Sequence, residues 1–138
     1  MAEYLLRHRL GATTPWQIRS AGLAALNGLA ASQPAVAVLA EQGVDLTPHR
    51  SQRLTKGMID SAILIVVMTN SHALELKSRF PEAQGRIRLL KSFDPAAKGE
   101  DIQDPIGGEI STYREIYAEI DAALLDLILY LKKRAARR

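Results

Sequence analysis

Apolar positions along the chain recur with two periods. The opening stretch MAEYLLRHRL places Tyr4, Leu5, Leu6 and Leu10 on one stripe and Glu3, Arg7, His8 and Arg9 on the other, the signature of an amphipathic helix. Its first turn has no Ser, Thr, Asp or Asn ahead of it to satisfy the orphan N–H groups. TTPWQIRSAGL follows as a loop leading into a short strand over residues 16–20, ended by Gly22. SQPAVAVLAEQG predicts a compact helix, with Pro34 in its first turn and Gly43 as its terminator. KGMIDSA predicts one or two helical turns. Residues 62–68, AILIVVM, form the longest apolar run and are rich in β-branched side chains, as expected of a strand buried on both faces of a parallel sheet.

A second helix, TNSHALELKSRFP, is expected to cap on Asn70 or Ser71 and to stop at Pro81; RIRLLKSF then reads as another strand. From Asp94 to Gly108 the pattern is that of a loop. Thr112 and Glu115 have capping-box spacing. Behind them Ile116, Ile120, Ala123, Leu124, Leu127, Ile128 and Leu131 form the buried stripe of a long helix. Strands alternating with helices predict an α/β sandwich around a parallel sheet. In such sheets ligands bind beyond the carboxyl ends of the strands, which draws attention to SAGL, MTNSH and the long acidic loop SFDPAAKGEDIQDPIGG.

Composition narrows the possibilities. A chain of 138 residues, 47% apolar and 24% charged, suits a single domain spanning residues 1–138. No apolar run reaches membrane-spanning length and no signal-peptide pattern opens the chain, so a cytoplasmic protein with no membrane partner is expected. The net charge is only +3, although basic residues bunch in LKKRAARR, where cations complement a helix C-terminus; no aromatic residues interleave with them, so nucleic acid is not an expected partner. The chain contains no cysteine, which removes disulfides, thiolate metal sites and any cysteine nucleophile. His8, His49 and His72 are far apart in sequence and no HExxH or Asp/His cluster accompanies them; neither metal nor cofactor is expected.

Several stretches fall in one familiar order and spacing: MAEYLLR, SAGL, AVAVLAEQGVDLTPHRSQRLT, ILIVVMTNSH, FPEA and DIQDPIGGEISTYREIY. Together they resemble the low-molecular-weight protein phosphatases, the family of bacterial tyrosine phosphatases, arginine phosphatases and related arsenate reductases. The resemblance implies a three-layer α/β sandwich of the phosphotyrosine phosphatase I-like type, with four parallel strands ordered 2-1-3-4. It also implies that a buried first strand and a Cys-x-x-x-x-x-Arg-Ser-Pro phosphate loop precede the first helix. Both are missing from these residues, so the first, central strand is lacking.

Asp104 in DPIGG matches the family's general acid, which protonates the leaving group. Read without the family, DPIGG is an ordinary turn. Ile106 and Gly107 stand where eukaryotic members carry a tyrosine pair against the substrate ring. Ile106 is therefore a substrate-binding candidate. Tyr113 is another, matching a downstream aromatic of the bacterial arginine phosphatases, although anchoring a helix suits it equally. His49 and His72 are expected to make structural hydrogen bonds. Ser20, Ser51 and Ser71 offer no nucleophile elbow. The complete family form acts on phosphoprotein, by tyrosine or arginine dephosphorylation. This chain, lacking the Cys nucleophile and phosphate-binding Arg, is expected to be inactive; the alternative is a non-catalytic pseudophosphatase acting as a binding or interaction module. Two origins stay open, an internal methionine taken as initiator or a naturally short relative.

Loss of a central strand forfeits on the order of 5–10 kcal/mol of apolar burial, comparable with the whole stability of a domain. It also exposes unpaired strand edges. The sheet is therefore expected either to close by bringing residues 16–20 beside 62–68, or to pair with a second copy as a homodimer.

Overall fold

The computed structural model describes residues 1–94, 96 and 100–136. In chain order its elements are α1 (Ala2–Leu10), α2 (Gln33–Ala40), α3 (Lys56–Ser61), β1 (Ile65–Val67), α4 (Asn70–Arg79), β2 (Ile87–Leu89) and α5 (Ile110–Ala136), with 3₁₀ segments at Pro81–Arg86 and Leu90–Phe93 on either side of β2. The two strands pair in parallel, Ile65 opposite Ile87, Val66 opposite Arg88 and Val67 opposite Leu89.

Alternation along the first strand builds two cores. Leu64, Val66 and Met68 pack on a cluster formed by α1, α2 and α5, centred on Leu5, Val38, Leu39, Leu46, Leu124 and Leu127. Ile65 and Val67 point the other way, to Ile59 of α3, Ala73 and Leu76 of α4, Ala83 and Ile87. The result is the anticipated α/β arrangement, with helices covering both faces of a parallel sheet. Among the described residues, no helix is long and apolar enough to cross a membrane.

Local chemistry explains the helix boundaries. Pro34 sits in the first turn of α2, and Gly43, at φ 74°, turns the chain so that Val44 N–H reaches the Leu39 carbonyl at 3.0 Å. The cap of α4 is Thr69, one residue before the expected Asn70 or Ser71; its Oγ1 accepts from His72 N–H at 3.1 Å. The capping box at Thr112 and Glu115 does not form, because α5 already starts at Ile110 and Thr112 lies within its first turn.

The sheet itself departs from two expectations. Only residues 65–67 of the 62–68 run are paired, and the run is not buried on both faces: Val67 is buried, whereas Ile63 is 42% exposed. Among the described residues β1 has a paired neighbour, β2, along one edge only. Residues 16–20 form no strand, and among the described residues no backbone hydrogen bond joins 17–20 to β1. Closure of the sheet within the chain is thus corrected. The segment is held in its own place: Arg7 donates to the Ile18 carbonyl, Gln52 Nε2 donates to the Ser20 carbonyl at 2.8 Å, and Trp16 and Ile18 pack on the larger core cluster. Just beyond, Gly22 bridges Arg53 in parallel and Ala30 bridges Arg50 antiparallel, which clips residues 22–30 to 50–54. Moving 16–20 across to β1 would break all of these contacts.

Candidate functional site

The loop that carries Asp104 is tied to the carboxyl end of β1. Ile102, 2% exposed, donates its N–H to the Met68 carbonyl at 2.8 Å. One position earlier, Asp101 Oδ1 accepts from the Asn70 backbone N–H at 2.7 Å and from Asn70 Nδ2 at 2.9 Å. A carboxylate on the first turn of α4 also suits the positive end of that helix. These bonds bring Asp104 to the ligand-binding end of the sheet, which the sequence could suggest only through the position of the loop.

Within the loop, Asp104 Oδ1 accepts from Ile106 N–H at 3.0 Å, and Pro105 O accepts from Gly108 N–H at 2.8 Å. Both glycines are required by geometry. Gly107 has φ 78°, and a Cβ on Gly108 would lie 2.8 Å from the Pro105 carbonyl oxygen and 3.2 Å from Thr112 Cβ. The resulting turn holds the Asp104 carboxyl in solvent with one oxygen engaged, and it delivers the chain directly into α5.

Across from this loop stands the start of α1, whose N-cap residue Met1 supplies no side-chain hydrogen bond. Burial lowers the Met1 amino group's pKa below its ordinary value, while the nearby carboxylates of Glu3 and Asp104 pull it upward. Asp104 is therefore close enough to the first turn of α1 for its charge to be felt there.

Behind that turn lies a polar hub that sequence reasoning did not single out. Glu3 accepts a hydrogen bond from Ser20 Oγ, forms an ion pair with Arg7 at 2.6 Å and approaches His49 Nδ1 at 3.9 Å. The His49 ring meets Tyr4 edge-on at 5.5 Å between centroids. Its pKa is depressed, by burial first and then by the Met1 amino group, Arg7 and Arg50, against the opposing pull of Glu3. The amphipathic pattern of α1 marked Glu3 only as a member of the polar face. Its partners lie 17 and 46 positions away, beyond any local periodicity.

The expected site residues separate in space. Asp104 and Ile106 share the turn, and Ile106 is 79% exposed. Tyr113 is 5% exposed, and its hydroxyl accepts from Ser32 Oγ at 3.2 Å, so it joins the first turns of α5 to the residue before α2 in the geometry of an anchor. His49 belongs to the Glu3 hub. His72 uses its backbone N–H in the α4 cap, with an exposed side chain.

None of the serines meets a base in a nucleophile's arrangement. The hydroxyl of Ser20 donates to the Glu3 carboxylate, and His49 Nδ1 faces that same carboxylate at 3.9 Å, so the Ser20 proton is committed to a carboxylate rather than to an imidazole. Ser51 Oγ is spent on backbone, donating to the Leu26 carbonyl and accepting from Leu29 N–H at 3.0 Å. Ser71 lies exposed in the first turn of α4. The arrangement presents a carboxyl at the mouth of a helix N-terminus, with no nucleophile among the described residues placed to use it.

Comparison with known proteins gives this geometry a setting. The family model for low molecular weight phosphotyrosine protein phosphatase matches residues 1–137. A protein-arginine-phosphatase of Geobacillus stearothermophilus is 39% identical over 108 residues, covering 78% of this chain and 72% of that protein. A probable low molecular weight protein-tyrosine-phosphatase, EpsP, of Ralstonia nicotianae is 35% identical over 115 residues, covering 83% of this chain and 74% of its own. The solved structure of the YwlE arginine phosphatase from Geobacillus stearothermophilus superposes with a TM-score of 0.89 at 34% identity, covering 99% of this chain and 86% of that one.

Proposed function

The chain belongs to the low molecular weight phosphotyrosine protein phosphatase family, and from that membership we propose that its 138 residues carry the general-acid side of a phosphoprotein phosphatase site without the nucleophilic side. Asp104 is the acid. Its support is the turn described above: rigid, exposed and anchored through Ile102 and Asn70 to the end of β1. A carboxylic acid so placed would hand its proton to the oxygen or nitrogen that leaves phosphorus.

Hydrolysis through a phosphoenzyme needs an attacking group as well, and in this family that group is a cysteine thiolate seated in a loop of backbone N–H donors. The sequence contains no cysteine, which is the observation that carries the reading. The 138-residue polypeptide is accordingly inactive by the family route. Phosphate release from a phosphotyrosyl and a phosphoarginyl peptide, followed together with intact mass, tests this. No release and no phosphoryl adduct are expected; release catalysed in step with protein concentration, or a covalent phosphoryl adduct, would contradict it.

A second reading takes the chain as a non-catalytic interaction module, and the open edge of β1 favours it. Unpaired strand edges are adhesive, and a second copy could pair there. Amide exchange along residues 63–67 that slows as protein concentration rises would support edge pairing, whereas exchange independent of concentration would count against it. Whether tyrosine or arginine phosphate is the substrate of the complete site turns on the nucleophile loop; Ile106, projecting from the acid's own turn, would meet either one through an apolar contact.

A further inference from the structure

Helix α5 carries apolar side chains on two faces. One is the buried stripe from Tyr113 to Leu131 that fills the main core. On the opposite face the exposed residues Glu115, Ala118, Ala122, Leu125, Leu129 and Lys132 follow one another at intervals of three, four, three, four and three. That is the spacing of a coiled-coil seam, where a helix meets another along alternating steps of three and four residues. Leu125 and Leu129 are 51% and 57% exposed, although the rest of the molecule offers ample charged residues for a solvent face.

We propose that this seam is a self-association surface on which a second copy of the chain docks its own α5 in antiparallel orientation. The order of the side chains selects both the partner and the direction. Placing a twofold axis between Ala122 and Leu125 sets Ala122 against the second copy's Leu125, Ala118 against its Leu129 and Glu115 against its Lys132. Each layer then pairs a small side chain with a large one, or a carboxylate with an ammonium, and the axis repeats all three layers in reverse. A parallel pair would instead put Glu115 beside Glu115 and Lys132 beside Lys132.

The charges along α5 agree with this choice. Of the carboxylates near the seam, Glu119 pairs with Lys91 at 2.6 Å and Asp121 with Arg9, whereas Asp126, on its flank, has no ion-pair partner among the described residues. Glu115 and Lys132 likewise have no ion-pair partner among the described residues. The end layers of the seam are thus left with one free charge of each sign. A single helix pair buries an area at the low end for specific interfaces, so the association is weak and depends on concentration and salt. The face lies on the outer side of α5 and is independent of the phosphatase reading and of the β1 edge.

Sedimentation velocity on the full chain over a wide concentration range tests the proposal. A reversible monomer–dimer equilibrium is expected, weakened at least tenfold by Leu125→Glu, with circular dichroism confirming that this exposed substitution leaves the helix content intact. Glu115→Lys and Lys132→Glu should each weaken the dimer, and the chain bearing both should recover it. A chain that stays monomeric throughout would overturn the proposal. So would association indifferent to Leu125→Glu, a double charge reversal no tighter than the single ones, or a dimer dissolved instead by Ile63→Lys at the sheet edge.

Discussion

Strand β1 has two edges with opposite fates. Along one it pairs in register with β2, and the side chains on the α3 and α4 side close over Ile59, Val67, Leu76 and Ala83. Along the other, no backbone of the described chain is bonded to it, residues 17–20 make no hydrogen bond to it, and Ile63 stays 42% exposed within an apolar run that composition alone would bury. The comparison teaches that the helical layers of this fold do not depend on a finished sheet. The packing of α1, α2 and α5 around Leu39, Leu46 and Leu124 is complete, while the strand layer between them remains open at one edge. It also explains why the loop carrying Asp104 is well anchored, since Ile102 and Asp101 bond to Met68 and Asn70 at the end of β1 and need only that strand.

If stability resides in the helical layer, substitutions there and at the open edge should differ sharply. The largest effect is expected from Leu124→Ala, 1% exposed in the main core, which should lower unfolding free energy in urea by about 2–5 kcal/mol through lost burial and a residual cavity. A loss as small as that of a surface substitution would break the contrast. Next comes Tyr113→Phe, which removes the hydroxyl that receives Ser32 Oγ; about 1 kcal/mol is expected by the same titration.

Smaller still is an effect of pH. Burial holds His49 below its ordinary value of about 6.5, so the unfolded chain takes up this proton more readily than the folded one. The His49 contribution is fully present above pH 6.5 and is lost as pH falls from there through the depressed folded value. Melting temperature followed across that window should therefore decline toward acid, and His49→Gln should flatten the slope. An unchanged slope would mean that burial does not hold this histidine below its ordinary value in the folded chain. Smallest is Ile63→Ser at the open edge, expected to change unfolding free energy by less than about 0.5 kcal/mol. A loss comparable with Leu124→Ala would mean that the edge is covered in solution.

Much of the fold was legible in the sequence because helices announce themselves locally. The stripe from Ile116 to Leu131 and Pro34 and Gly43 around α2 lie where their patterns put them, and the apolar run at 62–68 contains a strand, though only over Ile65–Val67. Strands are a property of pairs, and this is where local reading failed. Residues 16–20 have a strand's composition, yet form no strand, since among the described residues no backbone pairs with them as a ladder. The capping box at Thr112 failed for a related reason: the turn closed by Gly107 and Gly108 starts α5 earlier than the side-chain motif suggested.

At the site, the DPIGG turn was visible through its residue types, and Asp104 through family resemblance. Glu3 was not visible, because its Ser20 and His49 partners come from distant loops and only the folded chain unites them. Tyr113 shows the same limit, since its hydrogen bond from Ser32, 81 positions away, could not be read from local pattern.

The most direct test of the central claim adds what the chain lacks. A family-type first strand and Cys-x-x-x-x-x-Arg loop fused ahead of Met1 would fill the open edge of β1 and seat a thiolate at the start of α1. The account predicts p-nitrophenyl phosphate turnover by the fusion and none by the 138-residue chain, with Asp104→Asn reducing the fusion's rate by roughly a hundredfold or more. Comparable turnover by the unfused chain, or a folded fusion whose rate ignores Asp104, would contradict it.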